Sequence, residues 1–185
     1  MTERKIVGLI EEYLWKMIHT LLPIVCVDLV IIHRKTVLLL KRTIEPEAGK
    51  WMLPGGRMWK NETPDLTCFR IMREELGWSQ SMVGVGVPEA MGWMSNRYDV
   101  SPFGENTGTH TVSLVHKIVL QDDLEFEIKP DSNHESYIWW DGAEGSLGGI
   151  GESHLHYMRV GLGLPEIIHE ENDIEHAVMR NANEL

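Results

Sequence analysis

Residues 55–78 read GGRMWKNETPDLTCFRIMREELGW. The later part of this stretch carries both terminal signals of one helix. Thr63 is a good N-cap, because its hydroxyl can accept one of the unpaired N–H groups of the first turn. Pro64 fits the first helical position, where no hydrogen bond is lost, and Asp65 complements the positive end of the helix dipole. Gly77 supplies the stop, so the spacing predicts a helix over Pro64–Leu76. At about 100° per residue, Leu66, Phe69, Met72 and Leu76 gather into a core stripe. Glu75 lies away from that stripe, with Arg70 and Glu74 flanking it. Just ahead stands Gly55-Gly56, where backbone can approach a ligand closely and a carbonyl can face a cation. Carboxylates plus a carbonyl are the hard oxygen donors that Mg²⁺ prefers. The same residues also suit a solvated helix face with ordinary pairs such as Arg70 with Glu74.

Working outward, Ile24–Ile32 and Thr36–Lys41 read as strands joined by the polar turn His33-Arg34-Lys35, and Trp51–Leu53 as a short extended piece. Ahead of them, Ile6, Leu9, Ile10, Tyr13, Leu14, Met17 and Ile18 recur at helical spacing and predict an amphipathic helix over residues 3–19. Further strands are expected near Met82–Val87, Ala90–Tyr98, Thr109–Leu120 and Ser136–Trp140, with a loop at Ser101–Thr107. Helices over Glu152–Val160 and Pro165–Met179 complete the pattern. Helices and strands without regular alternation imply an α+β fold, with helices packed on a mixed sheet. The expected organisation is an N-terminal helical extension (1–22), one domain (23–164) and a C-terminal helical tail (165–185).

The chain has 185 residues, 43% hydrophobic and 24% charged, which is enough for one domain with a proper core. Its net charge of −11 argues against a polymeric nucleic-acid partner, since phosphate backbones are held by surplus Lys and Arg. A small phosphorylated ligand stays possible through a metal ion and a few local arginines. Cys26 and Cys68 lack metal-site spacing and read as buried thiols of a reducing compartment. Leu21–Ile32 is too short to span a bilayer and contains Asp28, so a soluble, cytoplasmic protein without membrane association is expected.

The spacing Gly56, five residues, Glu62, seven residues, Arg70, then Glu74-Glu75-Leu76-Gly77-Trp78 resembles the Nudix box, G-x5-E-x7-R-E-U-x-E-E-x-G-U, with U a bulky apolar residue. Six of its seven fixed positions match; Ile71 stands where the family has a glutamate. The resemblance implies a Nudix-type α/β/α sandwich around a mixed β-sheet and metal-dependent hydrolysis of nucleoside diphosphates linked to another group. Ile71 and Glu75 are i,i+4 neighbours, so the absent carboxylate would have stood beside Glu75. Fewer ligands imply a single Mg²⁺ as cofactor and a catalytic base outside the box.

From about Pro23 to Val160 the chain is similar to the GDP-mannose mannosyl hydrolase subgroup, which also replaces that glutamate. The likeness runs through Pro23–Asp28, Lys41-Arg42-Thr43, Pro54-Gly55-Gly56-Arg57, Thr107-Gly108-Thr109-His110 and Pro130–Tyr137. It implies His134 as the general base, for which an imidazole is suited near neutral pH. Water then attacks the anomeric carbon and GDP leaves. Arg42 and Arg57 would clamp the diphosphate, with Asp28 and Arg70 as further substrate contacts. The metal set would be Glu75, Glu74, the Gly55 carbonyl and Asn133, which takes the place of a Gln. A homodimer is implied as well, and the apolar N-terminal helix would suit its interface.

Two other functions stay open at this point. One is ordinary Nudix hydrolysis at phosphorus, supported by retention of both Glu74 and Glu75. The other is a nucleotide-sugar binding module without turnover, supported by Ile71. Trp51, Trp139 and Trp140 are expected in the core, and His154, His156, His169 and His176 on the surface. The acidic run Glu166–Leu185 reads as a solvated helix or a dimer contact.

Overall fold

The computed structural model describes residues 10–78, 84–143, 147 and 149–165, which form a mixed sheet between helices. The elements in chain order are α1 (Glu12–Leu21), β1 (Ile24–His33), β2 (Thr36–Arg42), β3 (Trp51–Met52), β4 (Gly55–Arg57) and α2 (Pro64–Leu76). After these come β5 (Glu89–Ser101), β6 (Gly104–Val119), β7 (His134–Trp140) and α3 (Glu152–Gly161). The strand order is β3-β2-β1-β6-β5, with β4 also paired to β1 and β7 to β2. Only β1 and β6 run parallel among these pairs; the rest are antiparallel.

Alternation along the central strands builds one core on each face of the sheet. Val27, Leu29 and Ile31 of β1 and Leu38 and Leu40 of β2 pack under α2, against Cys68, Ile71, Met72 and Leu76. Val30, Val37 and Leu39 point the other way, onto Tyr157 and Met158 of α3 and onto Trp140. This is the expected α/β/α sandwich. The described residues contain no helix long and apolar enough to cross a membrane.

Helix α2 has the bounds its sequence predicts. Leu66 N–H donates to the Thr63 hydroxyl at 3.3 Å, Pro64 opens the helix, and Gly77 closes it in the left-handed region at φ 66°. The buried face is rotated from the expected stripe, however. Cys68 and Ile71 are in the core with Met72 and Leu76, whereas Leu66 is 57% exposed.

Three other expectations change. Residues 101–107 are not an open loop: β5 runs on to Ser101 and β6 begins at Gly104, whose φ of 98° allows the reversal. The Ser101 hydroxyl accepts the Phe103 N–H at 3.1 Å and tightens that turn. Near the expected strand Met82–Val87, Val85 makes only an isolated bridge to Leu120, and positions 82–83 lie outside the described residues. The N-terminal helix begins at Glu12 and continues to Leu21, while positions 3–9 of the expected helix, like the helix expected after Pro165, lie outside the described residues.

Candidate active site

The site opens where β1 and β2 part. Their direct pairing lies near the hairpin, at Ile32↔Val37 and His33↔Thr36. Toward its start, β1 takes β4 as a neighbour instead, through Cys26↔Arg57, Val27↔Gly56 and Asp28↔Gly55. At Gly55 only glycine fits that approach. A Cβ on Gly55 would collide with the Asp28 carboxylate, and one on Gly56 would lie 3.4 Å from Glu75 Oε1. The Gly55 N–H donates to Glu75 Oε2 at 3.0 Å, so β4 ties the helix carboxylate to the sheet.

Asp28, Arg42, Gly55, Arg57, Glu75, Asn133 and His134 all line one cleft of about 310 Å³. Arg70 and Glu74 do not. Arg70 is 8% exposed and fully engaged beneath the site. Its Nε donates to Glu62 Oε1 at 2.7 Å and its Nη1 to Glu74 Oε2 at 3.0 Å. Its Nη2 donates to the Arg57 carbonyl at 2.8 Å and to Glu62 Oε2 at 3.0 Å, and its guanidinium lies 4.1 Å from the Trp59 ring centre. Three box residues, Glu62, Arg70 and Glu74, therefore brace the end of β4 at Arg57. The Arg70 guanidinium, with help from the Trp59 N–H and the Thr67 hydroxyl, holds the Glu62 carboxyl down at about 2.

The carboxylates in the cleft are pushed the other way. Glu75 keeps some exposure to the cleft, but burial, together with Asp131 and Asp28 nearby, raises its carboxyl to about 8. Asp28 is 7% exposed and is also raised, chiefly by burial, with His154, Ser113 and Arg42 opposing. Two carboxylates that resist ionisation in one cleft form a place where a cation would be stabilised. Ile71, 1% exposed, fills the space beside them where a third carboxylate would stand. Among the described residues, no group of three or more His, Cys, Asp or Glu side chains is arranged to hold a metal ion.

Opposite them, His134 Nδ1 lies 2.6 Å from Asp131 Oδ1, and the imidazole is 6% exposed. An ionised Asp131 accepts the Nδ1 proton and leaves Nε2 with the lone pair. Burial lowers the His134 pKa, against the raising effect of Asp131. Asn133 donates from Nδ2 to Asp131 Oδ2 at 3.1 Å, which keeps its carbonyl oxygen for another partner. A register shift in the β2–β7 pairing between Lys41 and Arg42 sets Arg42 opposite His134. Such an irregularity re-aims side chains relative to strict alternation. The Arg42 Nε is held by the Ile44 carbonyl at 2.9 Å.

Several residues in or behind the cleft wall were not legible as such. Asp131 was within reach, three residues before His134 in a turn. His154, expected at the surface, is 2% exposed; its Nδ1 accepts the Leu53 N–H at 3.2 Å. On α3 it shares a face with Tyr157 and Met158, and that periodicity was the signal. Cys68 is buried as expected, but Cys26 is only partly so and borders the cleft. Trp140 is in the core, with Trp51 and Trp139 packed against it or its neighbours. His169 and His176 lie outside the described residues.

The NUDIX domain family matches residues 22–154. The chain belongs to that family, and family and fold together mark it as a Nudix hydrolase. It is 35% identical over 120 residues to the low-salt glycan biosynthesis protein Agl8 of Haloferax volcanii, covering 65% of this chain and 72% of that one. The MutT protein of Methanosarcina mazei Go1 shares the fold with a TM-score of 0.57 at 22% identity, over 75% of this chain and 93% of the other. The NUDIX domain of Shewanella oneidensis NrtR, solved with ADP ribose, aligns with a TM-score of 0.56 at 19% identity, over 86% and 96%. Against the MutT/nudix protein of Enterococcus faecalis, this chain spans only 43% of the longer chain.

Proposed function

We propose that this protein hydrolyses a nucleoside diphosphate sugar, GDP-mannose foremost, with water attacking the anomeric carbon to give GDP and free sugar. The observation that carries this reading is the pairing of the buried His134 ring with the partly exposed Asp131, which supplies a base in the cleft without any box glutamate. His134 Nε2 takes the proton of the attacking water, and Asp131 holds the Nδ1 proton and stabilises the imidazolium that forms. Arg42 and Arg57 bind the diphosphate as negative charge builds on it. Asp28 contacts the sugar.

Mg²⁺ suits the donor set, because Glu75 and Asp28 together place more negative charge in the cleft than burial tolerates. Glu75, the Gly55 carbonyl and Asn133 Oδ1 would hold it, and it would supply Lewis-acid stabilisation of the leaving diphosphate. Glu74 is assigned to Arg70 and not to the metal. With Ile71 in the core as well, the box is short of the carboxylates that attack at phosphorus would draw on, which favours the carbon. The likeness to a glycan biosynthesis protein agrees with a sugar-linked substrate.

The test is to incubate the protein with Mg²⁺ and GDP-mannose in heavy-oxygen water and locate the label. Label in free mannose is the expected result; label in phosphate would sink attack at carbon. The implied homodimer belongs to the same proposal. Leu14, Met17 and Leu21 form an exposed apolar stripe on α1, flanked by Tyr13 and Leu22. Light scattering should give twice the chain mass of 21.2 kDa, and a monomeric mass removes the dimer.

A further inference from the structure

Residues 149–154 run beside β3 and into α3. The Trp51 N–H donates to the Gly149 carbonyl at 2.9 Å, and the Gly151 N–H to the Trp51 carbonyl at 3.3 Å, as in a sheet. At Gly151 the chain turns into α3, and the Gly151 carbonyl is taken by the Leu155 N–H at 3.3 Å. Strand-like backbone has run out at the point where Leu53 needs an acceptor. Leu53 also falls between two strand partners, since β2 pairs with Trp51 and Met52 and β1 with Gly55 onward. It is 3% exposed, a place where a backbone N–H must find a partner inside the protein. His154 meets that need from the second residue after the helix start, its Nδ1 accepting the Leu53 N–H at 3.2 Å.

The two residues after Leu53 are held as well. The Pro54 carbonyl accepts the Leu29 N–H at 2.8 Å, and the Gly55 N–H donates to Glu75 Oε2 at 3.0 Å. Three consecutive residues are thus anchored to α3, to β1 and to α2. Gly55 depends on such anchors, because a glycine backbone has wide conformational freedom of its own. The His154 ring suits the task. It is 2% exposed, and burial lowers its pKa against the raising effect of Asp28 and Glu47, which keeps it neutral. A neutral imidazole with its proton on Nε2 has Nδ1 open as an acceptor.

We propose that His154 is a positioning residue for the cation: by holding the Leu53 N–H it fixes the path of the strap into β4 and so the aim of the Gly55 carbonyl. Helix α3 then has a part in the metal site although none of the candidate donors lies on it. Partners one layer behind a metal donor commonly contribute tenfold or more to affinity, because they remove the freedom of the donor to turn away. The inference rests on reading the Gly55 carbonyl as a donor to Mg²⁺.

The test is Mg²⁺ titration of the full chain by calorimetry, without substrate. His154→Ala should weaken Mg²⁺ binding by about tenfold. Two closer replacements separate positioning from packing. The Asn side-chain oxygen reaches the place of Nδ1, and Gln reaches only the place of Nε2. H154N should therefore bind Mg²⁺ within about threefold of wild type, and H154Q should resemble His154→Ala. Amide exchange at Leu53 should be faster in the Ala and Gln variants and close to wild type in H154N. A role confined to packing predicts lower denaturant midpoints in chelator with Mg²⁺ affinity unchanged, and that result overturns the proposal. So does rescue by H154Q and not by H154N. Should His154→Ala fail to fold, equal Mg²⁺ affinities in H154N and H154Q overturn it as well. Hydrolysis of GDP-mannose is a separate readout. If wild type binds Mg²⁺ and turns over while the variants bind it equally, only the role of His154 fails. If the Mg²⁺ pattern holds without turnover, only the assigned reaction fails. A wild type that binds no Mg²⁺ overturns the metal site and this inference together.

Discussion

Glu75→Gln is expected to cut turnover sharply and, in metal-free buffer at pH 8, to make the protein more stable than the wild type. The two effects share one cause. The folded protein holds the Glu75 carboxyl at about 8, against an ordinary value of 4.5. A group whose pKa rises on folding gives its full stability below the unfolded value and loses it as pH climbs through the folded one. The wild type should therefore weaken between pH 4.5 and pH 8 as Glu75 is forced to ionise in the cleft. Asp28, also raised by burial, acts in the same direction and is common to both proteins. Glutamine keeps the shape without the charge. Denaturant melts with a chelator present should show the two proteins alike near pH 4.5 and separated by on the order of 2–4 kcal/mol above pH 8. Added Mg²⁺ should close that gap by stabilising the wild type alone. Turnover in Mg²⁺ should fall by about two to three orders of magnitude. Parallel stability curves across this pH range would remove the charged Glu75 as a cation site.

His134→Ala is expected to lower kcat by about 10²–10⁴, the usual worth of a positioned general base, while Mg²⁺ affinity and KM stay close to wild type. The ring sits against the Asp131 turn, where its Nδ1 hydrogen bond of 2.6 Å favours the tautomer that leaves the Nε2 lone pair for the proposed base role. Asp131→Asn should lower kcat in the same direction, since an amide no longer imposes that tautomer. Steady-state kinetics with GDP-mannose, and Mg²⁺ titration by calorimetry, check both variants. Unchanged turnover in His134→Ala would transfer the base to another group. A large loss of Mg²⁺ affinity would instead make the His134 loop part of the metal site.

The box illustrates what spacing does and does not reveal. Thr63, Pro64 and Gly77 are local signals, acting within a turn of themselves, and they set the bounds of α2 correctly. The face that helix buries depends on how it lies on the sheet, which leaves Leu66 exposed and Cys68 and Ile71 buried. Arg70 and Glu74 occupy family positions in the sequence, but the structure commits them to each other and to Glu62. Whether an arginine reaches a ligand or a neighbour is decided by a loop path that no periodicity records.

The sequence by itself determined the family and the mixed sheet between helices, and it singled out Gly55–Trp78 as the candidate metal-holding segment. Those follow from apolar alternation, capping residues and fixed spacing, which are local along the chain. Only the tertiary structure decided which groups share a cleft. The parting of β1 from β2, the irregular pairing at Arg42 and the docking of α1 beside β6 bring together residues more than a hundred positions apart, such as Trp15, His134 and His154. It also decided the charge state of Glu75, because that depends on how much protein surrounds the carboxylate, which is a property of three-dimensional packing.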